Sequence, residues 1–215
     1  MTTGNLTLSN EKDHLRTTKS DNETSTYKSL LSKTGIKAFV ALLVVLLLFT
    51  ITHIIKFPGS VGYLREITHG QKILDLQPSF SSAETYQRLE AFGEVGRQMY
   101  MRTMLTVDFI FPLSMFIFLF LFSTYASQLW LLKPAFCKAL RSLSIAYVTL
   151  DFLENLTIFF LLLNFPDRLE FLGSYIGLIT VGKRISMLGA IFIPAALLAV
   201  GKISGHLQKV RTEKV

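Results

Sequence analysis

Residues Thr149–Asn164 read TLDFLENLTIFFLLLN. Leu, Ile and Phe dominate, yet Asp151, Glu154 and Asn155 fall within little more than one helical turn. Residues three or four apart share a helix face, so Tyr147, Asp151 and Glu154 or Asn155 form one polar stripe, and the rest of the surface is suited to lipid. Working outward, the apolar run extends back to about residue 143. It thereby reaches the roughly 20 residues that a helix needs to cross the hydrocarbon core. Three further runs meet that length, giving spans at about 38–56, 103–127, 143–164 and 173–200. The last is broken by Lys183-Arg184.

The composition agrees. Half of the 215 residues are hydrophobic and 17% are charged, against about 25% in an average soluble domain. The net charge of +7 does not point to nucleic acid, because Lys and Arg flank the apolar runs instead of forming one basic stripe. Cys137 is the only cysteine and cannot form an internal disulfide. The first apolar run begins too late for an ordinary signal peptide and lacks a cleavage pattern, so it reads as a retained anchor.

Residues 1–33 are polar, nearly without large apolar side chains, and read as a disordered cytoplasmic tail. The membrane domain covers 34–205, and 206–215 form a second cytoplasmic tail. Orientation follows from basic residues. The N-terminal tail holds Lys12, Arg16, Lys19, Lys28, Lys33 and Lys37. The connector after span two holds Lys133, Lys138 and Arg141, and the C-terminal tail holds Lys202, Lys209, Arg211 and Lys214. The opposite side mixes basic with acidic residues. Both termini are therefore expected in the cytoplasm of a cell whose plasma membrane holds the protein, and 57–100 is expected outside.

Within that external segment, Ser81-Ser82-Ala83-Glu84 is a capping-box pattern. Tyr86, Leu89, Phe92, Gly96 and Met99 then recur at helical spacing. The expected fold is all-α: a membrane-embedded four-helix bundle, with an extra amphipathic helix on the outer surface that runs on into span two.

Counting 1.5 Å per residue from the span ends places Asp108, Asp151, Glu154 and Arg184 at overlapping depths. An unpaired charge at the bilayer centre costs roughly 2.5–3.5 kcal/mol even on lenient scales. The acids Asp108, Asp151 and Glu154 should therefore turn inward and meet Lys183 and Arg184. Tyr100, Tyr147, Asn155 and Thr180 are available as hydrogen-bond partners, and one acid is left over. Pro112 cannot donate to the carbonyl of Asp108, four residues back, so a kink and a small polar recess are expected there. Gly173 and Gly177 form a G-x-x-x-G pattern suited to close helix packing.

Two functional readings remain open. In one, the cluster handles a proton, a small solute or a lipid headgroup. In the other, it is a clasp that only holds the helices together, since apolar burial does not drive helix association in lipid. No metal-ligand, nucleophile-elbow or phosphate-loop motif occurs. The sequence thus leans away from an enzyme and calls for no cofactor. His53 is the only histidine near a span and reads as an interfacial residue, which argues against a haem held by two histidines. Membrane lipid is the one partner implied; the sequence does not define an oligomeric state.

The stretch Leu74–Pro112 contains D-L-Q-P, G-E-x-G-R-x-x-Y (Gly93–Tyr100) and a D-x-x-F-P-like motif at Asp108–Pro112, and D-x-x-E-N lies at Asp151–Asn155. In combination these resemble a family of small four-span integral membrane proteins without an assigned activity. The resemblance covers about residues 38–200. It implies the four-span architecture and a site made of Glu94, Arg97, Tyr100, Asp108, Asp151, Glu154, Asn155 and Lys183. Some family members have a single Lys where this chain has Lys183-Arg184, so the resemblance carries Lys183 over more directly than Arg184.

Overall fold

The computed structural model describes the backbone of residues 4–212 and the side chains of residues 25, 26 and 28–200. Its elements are α1 (Gly4–Phe49), a π-helical turn (Thr50–Ile54), α2 (Val61–Ile67), α3 (Ser82–Ala91), α4 (Gly93–Leu129), α5 (Pro134–Leu163) and α6 (Glu170–Thr212). No strand occurs among the described residues. Four segments are long and apolar enough to cross a membrane: Lys28–Ile54, Gly93–Leu129, Pro134–Leu163 and Glu170–Val200.

These bounds extend the expected spans. Residues 28–33, assigned above to a disordered tail, continue α1 as helix. Once a helix is nucleated, each added residue gains a hydrogen bond at low entropic cost, so an apolar span propagates into polar flanks. Helix also runs through residues 4–27 of that expected tail and through 206–212 of the second, while residues 1–3 and 213–215 lie outside the described residues.

In the bundle α5 packs against both α4 and α6, α4 touches α6, and α1 lies against α4. The outer faces carry Phe39, Leu43 and Leu47 on α1, Leu153 and Leu156 on α5, and Ile185 and Phe192 on α6, all exposed as a lipid-facing surface requires. Two apolar layers fill the interior. One, at the connector end, joins Leu64, Leu74, Tyr86, Leu89, Met104, Ile158 and Ile176. The other joins Leu119, Tyr147 and Ala190. Along α4, α5 and α6 the charged residues fall between these layers: Asp108, then Asp151 and Glu154, then Lys183.

The connector between α1 and α4 does not lie flat as a surface helix. It folds onto the end of the bundle and supplies much of that apolar layer. Ser81 caps α3 by accepting from the Glu84 backbone N–H at 3.2 Å. The reciprocal half of the capping box is absent: the Glu84 carboxylate takes Arg88 instead. Arg88 also donates to the Gln77 carbonyl at 2.7 Å, tying α3 to the loop before it.

The extra helix is not continuous with span two. It stops at Ala91, and Gly93 sits at φ 64°. A glycine in the left-handed region just past a helix end is a common stop, since it turns the chain without a Cβ penalty. Arg97 then donates to the Leu89 carbonyl at 3.1 Å, satisfying one acceptor that the ended helix leaves open.

Gly173 and Gly177 do not form a seam between two long helices. A Cβ on Gly177 would lie 2.2 Å from the Ser79 carbonyl oxygen, and one on Gly173 would lie 3.1 Å from the Ser82 Cα. The two glycines let the connector backbone settle directly on α6. Thr85 fixes the contact by bonding the Gly173 carbonyl at 2.8 Å.

Candidate functional site

The polar layer separates into two parts. The first is a fully engaged clasp between α5 and α6. Glu154 is completely buried, and one of its oxygens accepts from Lys183 Nζ. Its other oxygen accepts from the Thr180 hydroxyl. Lys183 Nζ also lies 3.2 Å from Asp151 Oδ1. Asp151 and Glu154 are three apart on α5, as are Thr180 and Lys183 on α6, so two short stripes meet face to face. One cation thus serves two largely buried carboxylates, where a lost partner would be expensive.

Asn155 connects this clasp to α4. Its Nδ2 donates to the Asp108 carbonyl at 2.9 Å and to Asp151 Oδ2 at 3.2 Å. The first of these carbonyls is the one Pro112 strands by having no N–H. The expected recess beside Pro112 is present as a cavity of about 170 Å³.

That cavity is the second part. Asp75, Asp108, Asp151, Lys183 and Arg184 line it, and His53, Tyr147 and Phe111 complete much of the wall. Asp108 contributes no ion pair among the described residues. Its Oδ2 is sealed from solvent and has no hydrogen-bond partner. Arg184 does not meet the acids either. Its guanidinium donates to the backbone carbonyls of Asp75, at 3.3 Å, and of Leu76. The expected pairing of three acids with two bases therefore reduces to Asp151 and Glu154 with Lys183.

Other expected site residues are scattered. Tyr100 is fully buried and donates to Asp75 Oδ1 at 2.7 Å, so it reaches the cavity only through Asp75. Arg97 stacks 3.9 Å over the Phe165 ring, away from the charged layer. Glu94 is exposed on the first turn of α4 and accepts from Gln98 at 3.2 Å. Arg97 bridges α4 to α3 through the Leu89 carbonyl, Glu94 bonds within α4, and neither enters the cluster.

Two cavity residues escaped the sequence reading. Asp75 stands in the D-L-Q-P motif, but a residue of a connecting loop gives no sign that the loop folds back over the bundle. His53 lies in the π-helical turn ending span one. It stacks on Phe49 with centroids 4.6 Å apart, lies 5.2 Å from the Phe111 ring, and its Nδ1 is 2.7 Å from the Thr52 hydroxyl. A π-turn inserts one residue into the helical register and turns the side chains that follow, and such turns recur at functional sites. Hydrophobic periodicity carries no mark of it.

Among the described residues, no three His, Cys, Asp or Glu side chains converge so as to hold a metal ion. Comparison of the chain with protein-family models, with curated proteins and with solved structures finds no match.

Proposed function

We propose that this is a small multi-pass membrane protein with both termini in the cytoplasm, whose cavity beside Pro112 takes up a proton or a small cationic solute, with Asp108 as the acceptor. One observation carries the reading: Asp108 Oδ2 is enclosed without a partner beside the cavity. Buried polar atoms in folded proteins nearly always have a partner, and an exception calls for one supplied by water, an ion or a ligand. Three carboxylates, Asp75, Asp108 and Asp151, line the cavity beside Lys183, Arg184 and His53, so with His53 neutral the acids exceed the charged bases by one and the balance favours positive charge. Its volume of about 170 Å³ corresponds to about five or six waters. That is below the roughly 300 Å³ at which sites for larger ligands begin, and it argues against a whole lipid headgroup here.

The clasp reading explains a different set of residues. Glu154, Thr180, Lys183 and Asp151 satisfy one another and need no ligand. We assign them the structural role and assign Asp108 and His53 the functional one.

The test compares Asp108→Asn with Glu154→Gln in purified protein. Infrared spectra recorded across a pH series should contain a carboxyl band that titrates in the parent chain and is missing from Asp108→Asn, while that variant accumulates normally. Small molecules released on denaturation are identified in parallel by mass spectrometry. If Asp108→Asn matches the parent in both measurements, the cavity has no such role. If it fails to accumulate as severely as Glu154→Gln, both residues belong to a clasp.

A further inference from the structure

A second cavity, of about 390 Å³, opens at the connector end of the bundle. Its basic lining comes from three elements: Arg65 on α2, Lys72 in the loop that follows, and Arg184 on α6. No Asp or Glu among the described residues lines it. The acids nearby in sequence are committed elsewhere. Glu66 pairs with Lys56 at 2.9 Å, and the Asp75 carboxylate accepts from Tyr100 at 2.7 Å. Neither Arg65 nor Lys72 forms an ion pair with any described carboxylate.

We propose that this cavity binds a phosphate-class anion, held by Arg65, Lys72 and Arg184. Three like charges around one hollow repel one another unless an anion lies between them. Arginine presents a planar fork that matches phosphate oxygens two at a time. Arg184 is already held in place, its guanidinium anchored by the Asp75 and Leu76 carbonyls, so little of its freedom remains to be lost on binding. Gln71 and Gln77 add amide donors to the wall. At Gly70 the backbone has φ 78°, and beyond its chain neighbours nothing lies within 4 Å of where a Cβ would stand, so the loop is uncrowded there. The volume suits a small ligand, unlike that of the acidic cavity.

The source of the phosphate is either a free ion or a lipid headgroup. Exposed Leu76 on the rim, with Ile54 and Ile55 exposed near the end of span one, gives this region the apolar-to-charged transition of a membrane interface. Headgroup phosphates lie at that depth.

The full chain, stripped of lipid in detergent, is titrated in separate arms with inorganic phosphate by calorimetry and with phosphatidylglycerol by native mass spectrometry. The Arg65→Gln/Lys72→Gln variant is the control; both residues are exposed, and folding is checked by thermal unfolding. Affinity for the productive probe should fall about tenfold or more in the variant. Binding of inorganic phosphate identifies a free-anion site, and binding of phosphatidylglycerol alone identifies a headgroup site. As a measurement on the unaltered protein, either ligand should slow chemical acetylation of Lys72 while leaving Lys56 unchanged. Equal affinity of variant and parent, or no binding and no protection of Lys72, overturns the proposal. Asp108→Asn should leave this binding intact, which separates it from the acidic cavity.

Discussion

Asn155 Nδ2 donates at 2.9 Å to the backbone carbonyl of Asp108, the one acceptor on α4 that Pro112 deprives of its helical donor. A side chain on one helix thereby repairs a break in another, beside the acidic cavity. The recess and its repair are one feature.

This predicts a coupling between two substitutions. Asn155→Leu alone leaves the Asp108 carbonyl without a donor and should cost about 1–3 kcal/mol of stability. With Pro112→Ala also present, the new N–H can bond that carbonyl within the helix, and the same Asn155→Leu change should cost clearly less. Thermal or denaturant unfolding of the four members of the cycle measures the difference. Strict additivity would mean that the Asn155 contact contributes nothing to the kink.

Lys183 serves two buried carboxylates, so removing it should be the most damaging single change in the polar layer. Lys183→Met should cost about 3–5 kcal/mol, the range for breaking a buried pair from one side. Neutralising both acids with Asp151→Asn and Glu154→Gln in the same chain should recover much of the loss. The yield of folded protein after detergent extraction is the readout, and a triple variant no better than Lys183→Met would contradict the clasp geometry.

Glycine substitutions on α6 should follow the space each one faces. Gly177→Ala drives a methyl to within 2.2 Å of the Ser79 carbonyl and must lift the connector off α6. Gly173→Ala, at 3.1 Å from Ser82, should do so less, and Gly189→Ala, at 3.3 Å from a Leu143 methyl that can rotate away, should be nearly silent. Protease cleavage within residues 68–81 should fall in that order, greatest for Gly177→Ala and least for Gly189→Ala. A uniform response would show that the loop is not seated on these glycines.

Tyr100 and Asp75 should respond unequally. Asp75→Asn retains an oxygen that can accept from Tyr100, so stability should change little. Tyr100→Phe removes the donor and should cost about 1–3 kcal/mol, because the Asp75 carboxylate stays beside the cavity without it. Unfolding measurements on the two variants decide the order.

Much of the site was legible because helix faces are periodic. Asp151, Glu154 and Asn155 had to turn inward, and the cost of bare charge in lipid required a base among their partners. The recess at Pro112 followed from a missing N–H. Glu94 and Arg97 were placed in the site by motif and not by geometry, and they lie at a helix junction. Asp75 and His53 were missed because a folded-back loop and a π-turn leave no trace in hydrophobic spacing.

The linear order of residues by itself determined that four apolar helices form, where they begin and end to within a few turns, and which stripe of each is polar. Length and period are properties of one helix at a time. Only the tertiary structure decided partners. Lys183 and Arg184 are neighbours in the chain, but successive side chains on a helix point about 100° apart, so they leave the helix in different directions. The rotational setting of α6, with the connector seated on Gly173 and Gly177, turns Lys183 to the carboxylates and Arg184 to the loop carbonyls. That setting comes from contacts between segments far apart in sequence, which no local pattern encodes.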